Sequence, residues 1–166
     1  MGEKMIIYRT AQTSDFLDIA ALDREAWGKN RNTEFVPDGE HIWRVWVEYA
    51  IVECAFENDK VIGVGLSIPT TDPKLYFHHK LFLRDGYRGQ NIGSKLTENR
   101  FKRTDELGAA TIFTTDTNNT VMHKIAAKHG YVEVDFVKGY YRPNEDRLIF
   151  RREAATIQAD KKTLNL

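Results

Sequence analysis

The chain has 166 residues, of which 42% are apolar and 29% charged, and its formal net charge is zero. This composition is typical of one soluble globular domain with a substantial core. The neutral balance argues against a dedicated nucleic-acid binder, which usually carries a basic surplus. No apolar run approaches the roughly 20 residues that a membrane span needs. We therefore expect a cytoplasmic protein that binds neither nucleic acid nor membrane.

The cysteine content excludes two kinds of structure. Cys54 is the only cysteine, which excludes an intrachain disulfide and a cysteine-based zinc cage. We expect no metal.

Hydrophobic periodicity and turn residues predict eleven elements between residues 6 and 152. In chain order they are a strand at 6–9, helices at about 16–27 and 42–49, strands at 52–56, 62–68 and 75–83, a helix at 93–107, a strand at 111–117, a helix near 121–129, and strands at 131–139 and 146–152. Asn58-Asp59 has the chemistry of a tight hairpin turn. Residues 1–153 are expected to form one domain, and 154–166 a polar tail.

The junction between the strand at 75–83 and the next helix is the most informative segment. The turn Arg84-Asp85-Gly86-Tyr87 leads into Arg88-Gly89-Gln90-Asn91-Ile92-Gly93, where the helix begins. Glycine and asparagine tolerate left-handed backbone, so several N–H groups can point at one spot in front of the positive end of the helix dipole. Such a place binds phosphate. A sharp turn without a ligand is the simpler alternative.

Local charge favours an anionic ligand over that alternative. Residues 88–103 include one acidic residue, Glu98, and five basic residues. The basic residues are Arg88, Lys95, Arg100, Lys102 and Arg103. The spacing fits neither the Walker loop nor the dinucleotide-binding loop.

The segment Tyr87–Leu96, YRGQNIGSKL, resembles the acyl-CoA-binding motif of the GNAT acetyltransferase superfamily: Gln or Arg, two residues, Gly, one residue, then Gly or Ala. One departure is Asn91, which stands where the first glycine is usual. Asn119, followed eleven residues later by Gly130-Tyr131, is similar to the family's next helix. The run 139–146 is similar to the end of ribosomal-protein N-terminal acetyltransferases. Together the similarities cover roughly residues 6–153.

The resemblance implies an α/β (α+β) fold, with a mixed, mostly antiparallel sheet of about seven strands and about four helices, which agrees with the periodicity. It also implies that acetyl-CoA is the acyl donor. Its pyrophosphate would be held by Arg88, Gly89, Gln90, Asn91, Ile92, Gly93 and Ser94, and its pantetheine arm would run along Leu81, Phe82 and Leu83. Asn119 would contact the donor near its reactive end, although helix capping explains Asn119 equally well.

An amine acceptor must lose a proton before it can attack, and His78 and His79 are the candidate bases because histidine titrates near neutral pH. Strand alternation places His78 with Lys80, and His79 on an apolar face. The alternatives to catalysis are therefore a core role for His79 and a surface position for His78. The arylalkylamine branch of the superfamily is similar in carrying a histidine base ten residues before Arg88, where His78 lies.

The resemblance leaves the general acid open. The family's usual tyrosine position is Ala126 here, and the glutamate base of the ribosomal-protein subgroup aligns with Thr114. Tyr140 and Tyr141 are substitutes, and a coenzyme thiolate can also leave without an enzymic acid.

The leading hypothesis is an N-acetyltransferase acting on a small primary amine by direct attack in a ternary complex. Residues 27–49 are expected to contribute the acceptor site, with Trp27, Phe35, Trp43, Trp46 and Tyr49 as apolar lining and Glu34, Asp38 or Glu40 attracting a cation. The alternative for Trp43 and Trp46, which lie at helical spacing, is a place in the core. The alternatives are a non-catalytic acyl-CoA sensor or regulatory module and a protein N-acetyltransferase. A homodimer is left open.

Overall fold

The computed structural model describes residues 5–28, 37–155 and 162. The strands are β1 (Ile6–Thr10), β2 (Ile51–Glu57), β3 (Lys60–Pro69), β4 (Leu75–Leu83), β5 (Ala110–Thr115), β6 (Val132–Val137) and β7 (Arg147–Arg152), and the helices are α1 (Phe16–Gly28), α2 (Glu40–Tyr49), α3 (Ile92–Glu106) and α4 (Thr120–Lys128). The predicted order of elements is confirmed, and most boundaries agree within two residues. Among the described residues, no helix is long and apolar enough to cross a membrane.

The seven strands form one sheet in the order β1-β2-β3-β4-β5-β7-β6. The pairs β1/β2, β2/β3, β5/β7 and β6/β7 are antiparallel, while β4 and β5 are parallel. The mixed, mostly antiparallel sheet that was predicted is therefore confirmed. The chain divides into two compact units, 1–68 with 80–102 and 69–79 with 103–166. Strand β4 supplies residues to both.

The first unit is built around strands β2 and β3, which are buried along nearly their whole length. One core cluster joins alternate residues of these strands, such as Val52 and Leu66, to Leu22 of α1 and Trp43 of α2. A second cluster joins Ala55 and Ile62 to Ile92 and Leu96 of α3. Because side chains of a strand alternate between faces, the two clusters cover opposite sides of β2 and β3.

The hairpin between β2 and β3 turns at Asn58 and Asp59, whose φ angles are +49° and +61°. Two consecutive left-handed residues match the right-handed twist of the flanking strands. The predicted hairpin turn is confirmed. Cys54 of β2 is free and fully buried, and burial raises the pKa of its thiol.

The second unit has an aromatic core on strands β5 and β7. The rings of Phe113 and Phe150 stack with centroids 5.2 Å apart, and Tyr131 meets Phe113 edge-on at 4.8 Å. Arg152 donates two hydrogen bonds to Asp105, at 2.9 and 3.0 Å. Of the predicted tail 154–166, Ala154 is buried and the N–H of Ala155 donates to Asp105 at 3.0 Å. Residues 156–161 and 163–166 lie outside the described part of the chain.

Candidate active site

Strand β4 ends in the predicted turn. The N–H of Tyr87 donates to the carbonyl of Arg84 at 3.2 Å, and Gly86 between them has φ +84°, a backbone angle that glycine adopts without steric cost. The Arg84 side chain anchors the turn by donating to the Val61 carbonyl at 3.1 Å and to a Glu25 carboxylate oxygen at 2.5 Å. The loop that follows therefore starts from a fixed point on the first unit.

The loop itself contains two further left-handed residues, Gly89 at φ +77° and Asn91 at φ +61°. Asn91 occupies the position where the motif usually has glycine, and it adopts the conformation that the glycine would supply. Asparagine is among the residues most often found in this region after glycine. The substitution therefore preserves the backbone shape of the motif.

Helix α3 starts directly after Asn91. The N–H of Lys95 donates to the Asn91 carbonyl at 3.1 Å, which is the first α-helical hydrogen bond. The N–H groups of Ile92, Gly93 and Ser94 precede it, and helix geometry directs such groups out of the N-terminus. Together with the helix dipole they form an environment that suits phosphate oxygens.

The basic residues around this loop do not all share one role. Arg88 and Lys95 are exposed beside the loop. Arg100, by contrast, is buried, and its guanidinium donates to the carbonyls of Leu66 and Lys80 at 3.1 and 3.4 Å. The exposed positive charge near the loop is therefore smaller than the sequence count suggested.

The end of β4 packs by the predicted alternation. Phe82 is buried in the cluster with α1 and α2, while Leu81 and Leu83 pack against the cluster with α3 and are half-buried. The parallel register of β4 with β5 comprises Leu75–Phe77 opposite Ala110–Ile112.

The exposure of the two histidines of β4 is the reverse of what their non-catalytic alternatives predicted. His78 is 9% exposed, and its Nδ1 lies 3.1 Å from the Tyr131 hydroxyl. His79 is exposed, with its ring centroid 5.9 Å from that of Phe77. The expectations of a core His79 and a surface His78 were therefore wrong. Alternation separates two faces of a strand but does not say which face the rest of the fold covers.

Asn119 caps helix α4. Its side-chain oxygen accepts a hydrogen bond from the N–H of Met122 at 3.2 Å, and Gly130, with φ +76°, follows the end of the helix. The capping alternative for Asn119 is confirmed, and it leaves a contact with a ligand untested.

The candidate acids lie in the loop between β6 and β7. Tyr140 and Tyr141 are exposed and their rings meet edge-on at 4.7 Å. Partial burial, and then the neighbouring Tyr141, raise the pKa of the Tyr140 hydroxyl, which makes it a weaker acid than a free tyrosine. The Tyr141 hydroxyl lies 3.3 Å from that of Thr114. Ala126 is buried and has no side-chain proton to offer.

A buried charge cluster around Lys80 was not anticipated from the sequence. The Lys80 ammonium lies 2.8 and 2.9 Å from the two Asp23 oxygens and 2.5 Å from Asp38. It also lies 5.5 Å from the ring centre of Trp27 and 5.8 Å from that of Trp43. Lys80 and Asp23 side chains are 2% and 0% exposed. Alternation of β4 grouped Lys80 with His78 on a face expected at the surface, and only the fold shows that this face is buried and which groups pair with Lys80.

The predicted acceptor segment contributes partly to this cluster. Trp43 is fully buried and its ring N–H donates to Asp23 at 2.9 Å, so it is a core residue, as one alternative held. Tyr49 is 70% exposed. Glu34 and Phe35 lie outside the described residues. Near the phosphate loop, a depression of about 170 Å³ is lined by Glu25, Ala26, Leu83, Asp85 and Arg88.

A mixed seven-stranded sheet, with left-handed residues directly before α3, is the architecture of the GNAT fold. The chain belongs to the acetyltransferase (GNAT) family, whose family model matches residues 16–131. The resemblance stated from the loop sequence is thereby confirmed, and the activity of the class is acetyl transfer.

Solved structures repeat this fold at low identity. An acetyltransferase of the GNAT family from Streptococcus pneumoniae is 16% identical, with a TM-score of 0.77 over 91% of this chain and 100% of that one. The ribosomal-protein-S18-alanine N-acetyltransferase from Escherichia coli is 15% identical, with a TM-score of 0.75 over 90% and 94%. The yncA protein of Salmonella typhimurium, solved with its cofactor acetyl-CoA, is 13% identical, with a TM-score of 0.76 over 90% and 94%. No curated protein sequence matches the chain significantly.

Proposed function

We propose that this acetyltransferase moves the acetyl group of acetyl-CoA to a small primary amine, by direct attack of the amine in a ternary complex. What carries the proposal is the left-handed backbone of Gly89 and Asn91 directly before α3. That conformation turns the chain sharply at the helix N-terminus, where main-chain N–H groups favour phosphate oxygens. The structure of the yncA protein from Salmonella typhimurium, solved with acetyl-CoA, supports acetyl-CoA as the acyl donor.

The donor-binding residues follow from this loop. Main-chain N–H groups from Arg88 to Ser94 hold the pyrophosphate, and Arg88 adds an exposed positive charge beside it. The pantetheine arm runs along Leu81, Phe82 and Leu83, pairing with their backbone as an added strand would. A main-chain N–H in this stretch then faces the thioester carbonyl. Loss of one such donor typically costs about 10²–10³ in rate. By resemblance, Asn119 contributes near the reactive end.

A cationic amine acceptor loses two protons in the reaction. A base takes the first proton, and the free amine then attacks the carbonyl carbon. The bond from carbon to sulfur breaks, and the second proton leaves the nitrogen as the amide forms, while the thiolate takes up one proton to become the free thiol. His78 is the proposed base, with His79 as the alternative, because imidazole accepts protons near neutral pH. Tyr140 is the proposed donor to the departing thiolate, because a phenol hydroxyl carries a proton at neutral pH; the raised pKa of this hydroxyl makes it a weaker acid than a free tyrosine. The thiolate is also a good leaving group by itself, since a thiol has a pKa of about 8.5 against about 10.4 for an alkylamine.

The choice of a small acceptor rests on the sequence, in which no run of acidic residues marks a site for a basic peptide tail. The depression of about 170 Å³ that Arg88 and Leu83 help to line lies beside the phosphate loop, so it is assigned to the donor and not to the acceptor. The Escherichia coli neighbour is named for a protein acceptor, but at 15% identity the likeness shows the fold alone.

Calorimetry with acetyl-CoA, followed by a screen of primary amines that reads thiol release, tests this function. We expect binding in the micromolar range and acetylation of at least one small amine. Absence of binding at millimolar acetyl-CoA would refute the donor assignment. Binding with no thiol release above the hydrolysis background would favour the non-catalytic sensor, and turnover only with peptides would favour a protein acceptor.

Paired histidine variants separate the two candidate bases. His78→Ala should lower the rate by about 10²-fold at neutral pH and less at high pH, where the amine deprotonates without help. His79→Ala, one residue along the same strand, should leave the pH–rate profile unchanged. The reverse pattern would transfer the role of base to His79.

A further inference from the structure

Arg100 is a basic residue of α3 to which no role has been given so far. It is 3% exposed, and an arginine side chain keeps its positive charge inside a protein. Its guanidinium donates to the carbonyl of Leu66 on β3 at 3.1 Å and, over a longer 3.4 Å, to the carbonyl of Lys80 on β4. It also donates to the Thr97 hydroxyl at 3.3 Å. A positive charge therefore lies against the main chain of β4, directly before the residues assigned to the pantetheine arm.

Gly65 of β3 makes the room for this guanidinium. A Cβ atom at position 65 would lie 2.8 Å from Nε of Arg100 and 3.1 Å from its Cδ, which is closer than such atoms approach in proteins. Glu53, which pairs with Gly65 in the register of β2 and β3, is 3% exposed and places a carboxyl group on the adjacent strand. An apolar side chain on α3 would fill the same space without the cost of a buried charge. Packing alone therefore does not explain an arginine at position 100.

The main-chain groups of β4 alternate between the two edges of the strand. The N–H of Arg84 donates to the Ile62 carbonyl of β3 at 2.7 Å, and burial alternates without interruption in the second half of β4. The N–H and C=O of Lys80 therefore point toward β3, as those of Arg84 do. The N–H groups of Leu81 and Leu83 point away from β3. A main-chain donor at that edge of the strand is thus the N–H of Leu81 or that of Leu83.

The Arg100 charge distinguishes these two N–H groups. The Lys80 carbonyl and the Leu81 N–H belong to one peptide group, and a cation against the oxygen of a peptide group makes its N–H a stronger hydrogen-bond donor. The same charge attracts the negative charge that develops on a thioester oxygen in the transition state. Further partners of the guanidinium share its charge without reversing the sign of this effect. Leu81 is therefore favoured over Leu83.

We propose that Arg100 is a positioning residue, which polarises the Lys80–Leu81 peptide group and thereby makes the N–H of Leu81 the donor to the thioester oxygen. Arg100 acts through this peptide group and does not itself touch the acetyl group. The proposal rests on the proposed function, because it names the main-chain N–H that faces the thioester carbonyl there. It adds to the site a buried side chain that lies outside the loop 88–94.

The carbonyl of the bound donor reports on this N–H and needs no acceptor. In acetyl-CoA labelled with ¹³C at the acetyl carbonyl, a stronger hydrogen bond moves the carbonyl resonance downfield. We expect the resonance of acetyl-CoA bound to the wild type to lie downfield of the free value, and Arg100→Gln to remove part of that displacement. Lys102→Gln, at an exposed position of the same helix, removes the same charge and should leave the resonance unchanged. The same bound resonance in the wild type and in folded Arg100→Gln would overturn the proposal.

Kinetics measure the effect in the transition state. Arg100→Gln should lower kcat about tenfold, while the dissociation constant of acetyl-CoA stays within about threefold of the wild type, because the attraction grows as the oxyanion forms. Arg100→Lys keeps the charge without the planar fork and should restore part of the loss. A fall in affinity as large as the fall in kcat would indicate a purely structural role and would contradict the proposal.

Gly65→Ala covers the case in which Arg100→Gln does not fold. The added methyl group displaces the guanidinium from the two carbonyls without removing its charge from the interior. We expect this variant to lose part of the carbonyl displacement, and a wild-type resonance would contradict the proposal. Absence of acetyl-CoA binding by the wild type would refute the proposed function and this proposal together. If acetyl-CoA binds but no amine is acetylated, the carbonyl resonance alone decides the role of Arg100.

Discussion

Replacement of Asn91 tests whether the backbone shape of the loop, rather than a side chain, binds the donor. Asn91 is exposed and has φ +61°. Alanine in the left-handed region costs about 1–2 kcal/mol, whereas glycine has no such penalty. In the free protein, the exposed loop of the Asn91→Ala variant can relax out of the left-handed conformation. Pyrophosphate binding then requires that conformation again, so the cost of the strain is subtracted from the binding free energy.

This cost corresponds to about a 5- to 30-fold loss of affinity, since RT is about 0.59 kcal/mol. We therefore expect Asn91→Ala to weaken acetyl-CoA binding by that factor, and Asn91→Gly to stay within about twofold of the wild type. Isothermal calorimetry with acetyl-CoA measures both dissociation constants. Urea unfolding of the same proteins shows whether the strain is instead borne by the folded state.

Asn58 offers a matched control. It has φ +49° in the hairpin between β2 and β3, so Asn58→Ala introduces similar strain outside the loop. It should lower the free energy of unfolding by about 1 kcal/mol and leave acetyl-CoA affinity unchanged. Equal affinities for Asn91→Ala and the wild type, at unchanged stability, would refute the reasoning that left-handed backbone builds the phosphate site.

Two further predictions concern stability. Lys80→Met should lower the free energy of unfolding by about 3–5 kcal/mol, because it leaves fully buried Asp23 without its cation; a loss below about 1 kcal/mol in urea unfolding would contradict this. The pKa of the Asp15 carboxyl is lowered: burial works in the opposite direction, but hydrogen bonds from Arg9 and the Gln12 N–H, with the Arg9 charge, outweigh it. A carboxyl whose folded pKa is depressed contributes stability above its unfolded pKa of about 3.9, and the contribution disappears as pH falls through the folded value. Asp15→Asn should therefore cost about 0.5–1 kcal/mol at pH 7 and less at a pH below the unfolded value of about 3.9, as measured by urea unfolding at both pH values; an equal cost at the two would refute the assignment.

The local features of this chain were predictable because each depends on a few neighbouring residues. The left-handed turn at Asn58 and Asp59, the left-handed Asn91 and the cap at Asn119 all follow from the backbone preferences of asparagine and aspartate. The order of the elements was predictable as well, because apolar residues recur every two residues in strands and about every 3.6 residues in helices.

The roles of individual side chains on β4 were not predictable in the same way. Alternation correctly grouped His78 with Lys80, but it made His79 the buried histidine. Only the tertiary structure shows that the face with His78 and Lys80 is the buried one, because the hydrogen-bonding partners of these side chains lie far away in the sequence. Asp23 lies 57 residues from Lys80, and Tyr131 lies 53 residues from His78.

The sequence alone predicted the type and order of the elements and the shape of the loop that precedes α3, because short-range sterics and hydrophobic periods decide them. Which ionisable groups of β4 are buried, and what hydrogen-bonds to them, depended on the tertiary structure. A lysine or histidine can leave water only where an opposite charge or a hydrogen-bonding group compensates for lost hydration. In this protein those compensating groups, Asp23 and Tyr131, reach β4 only through long-range folding.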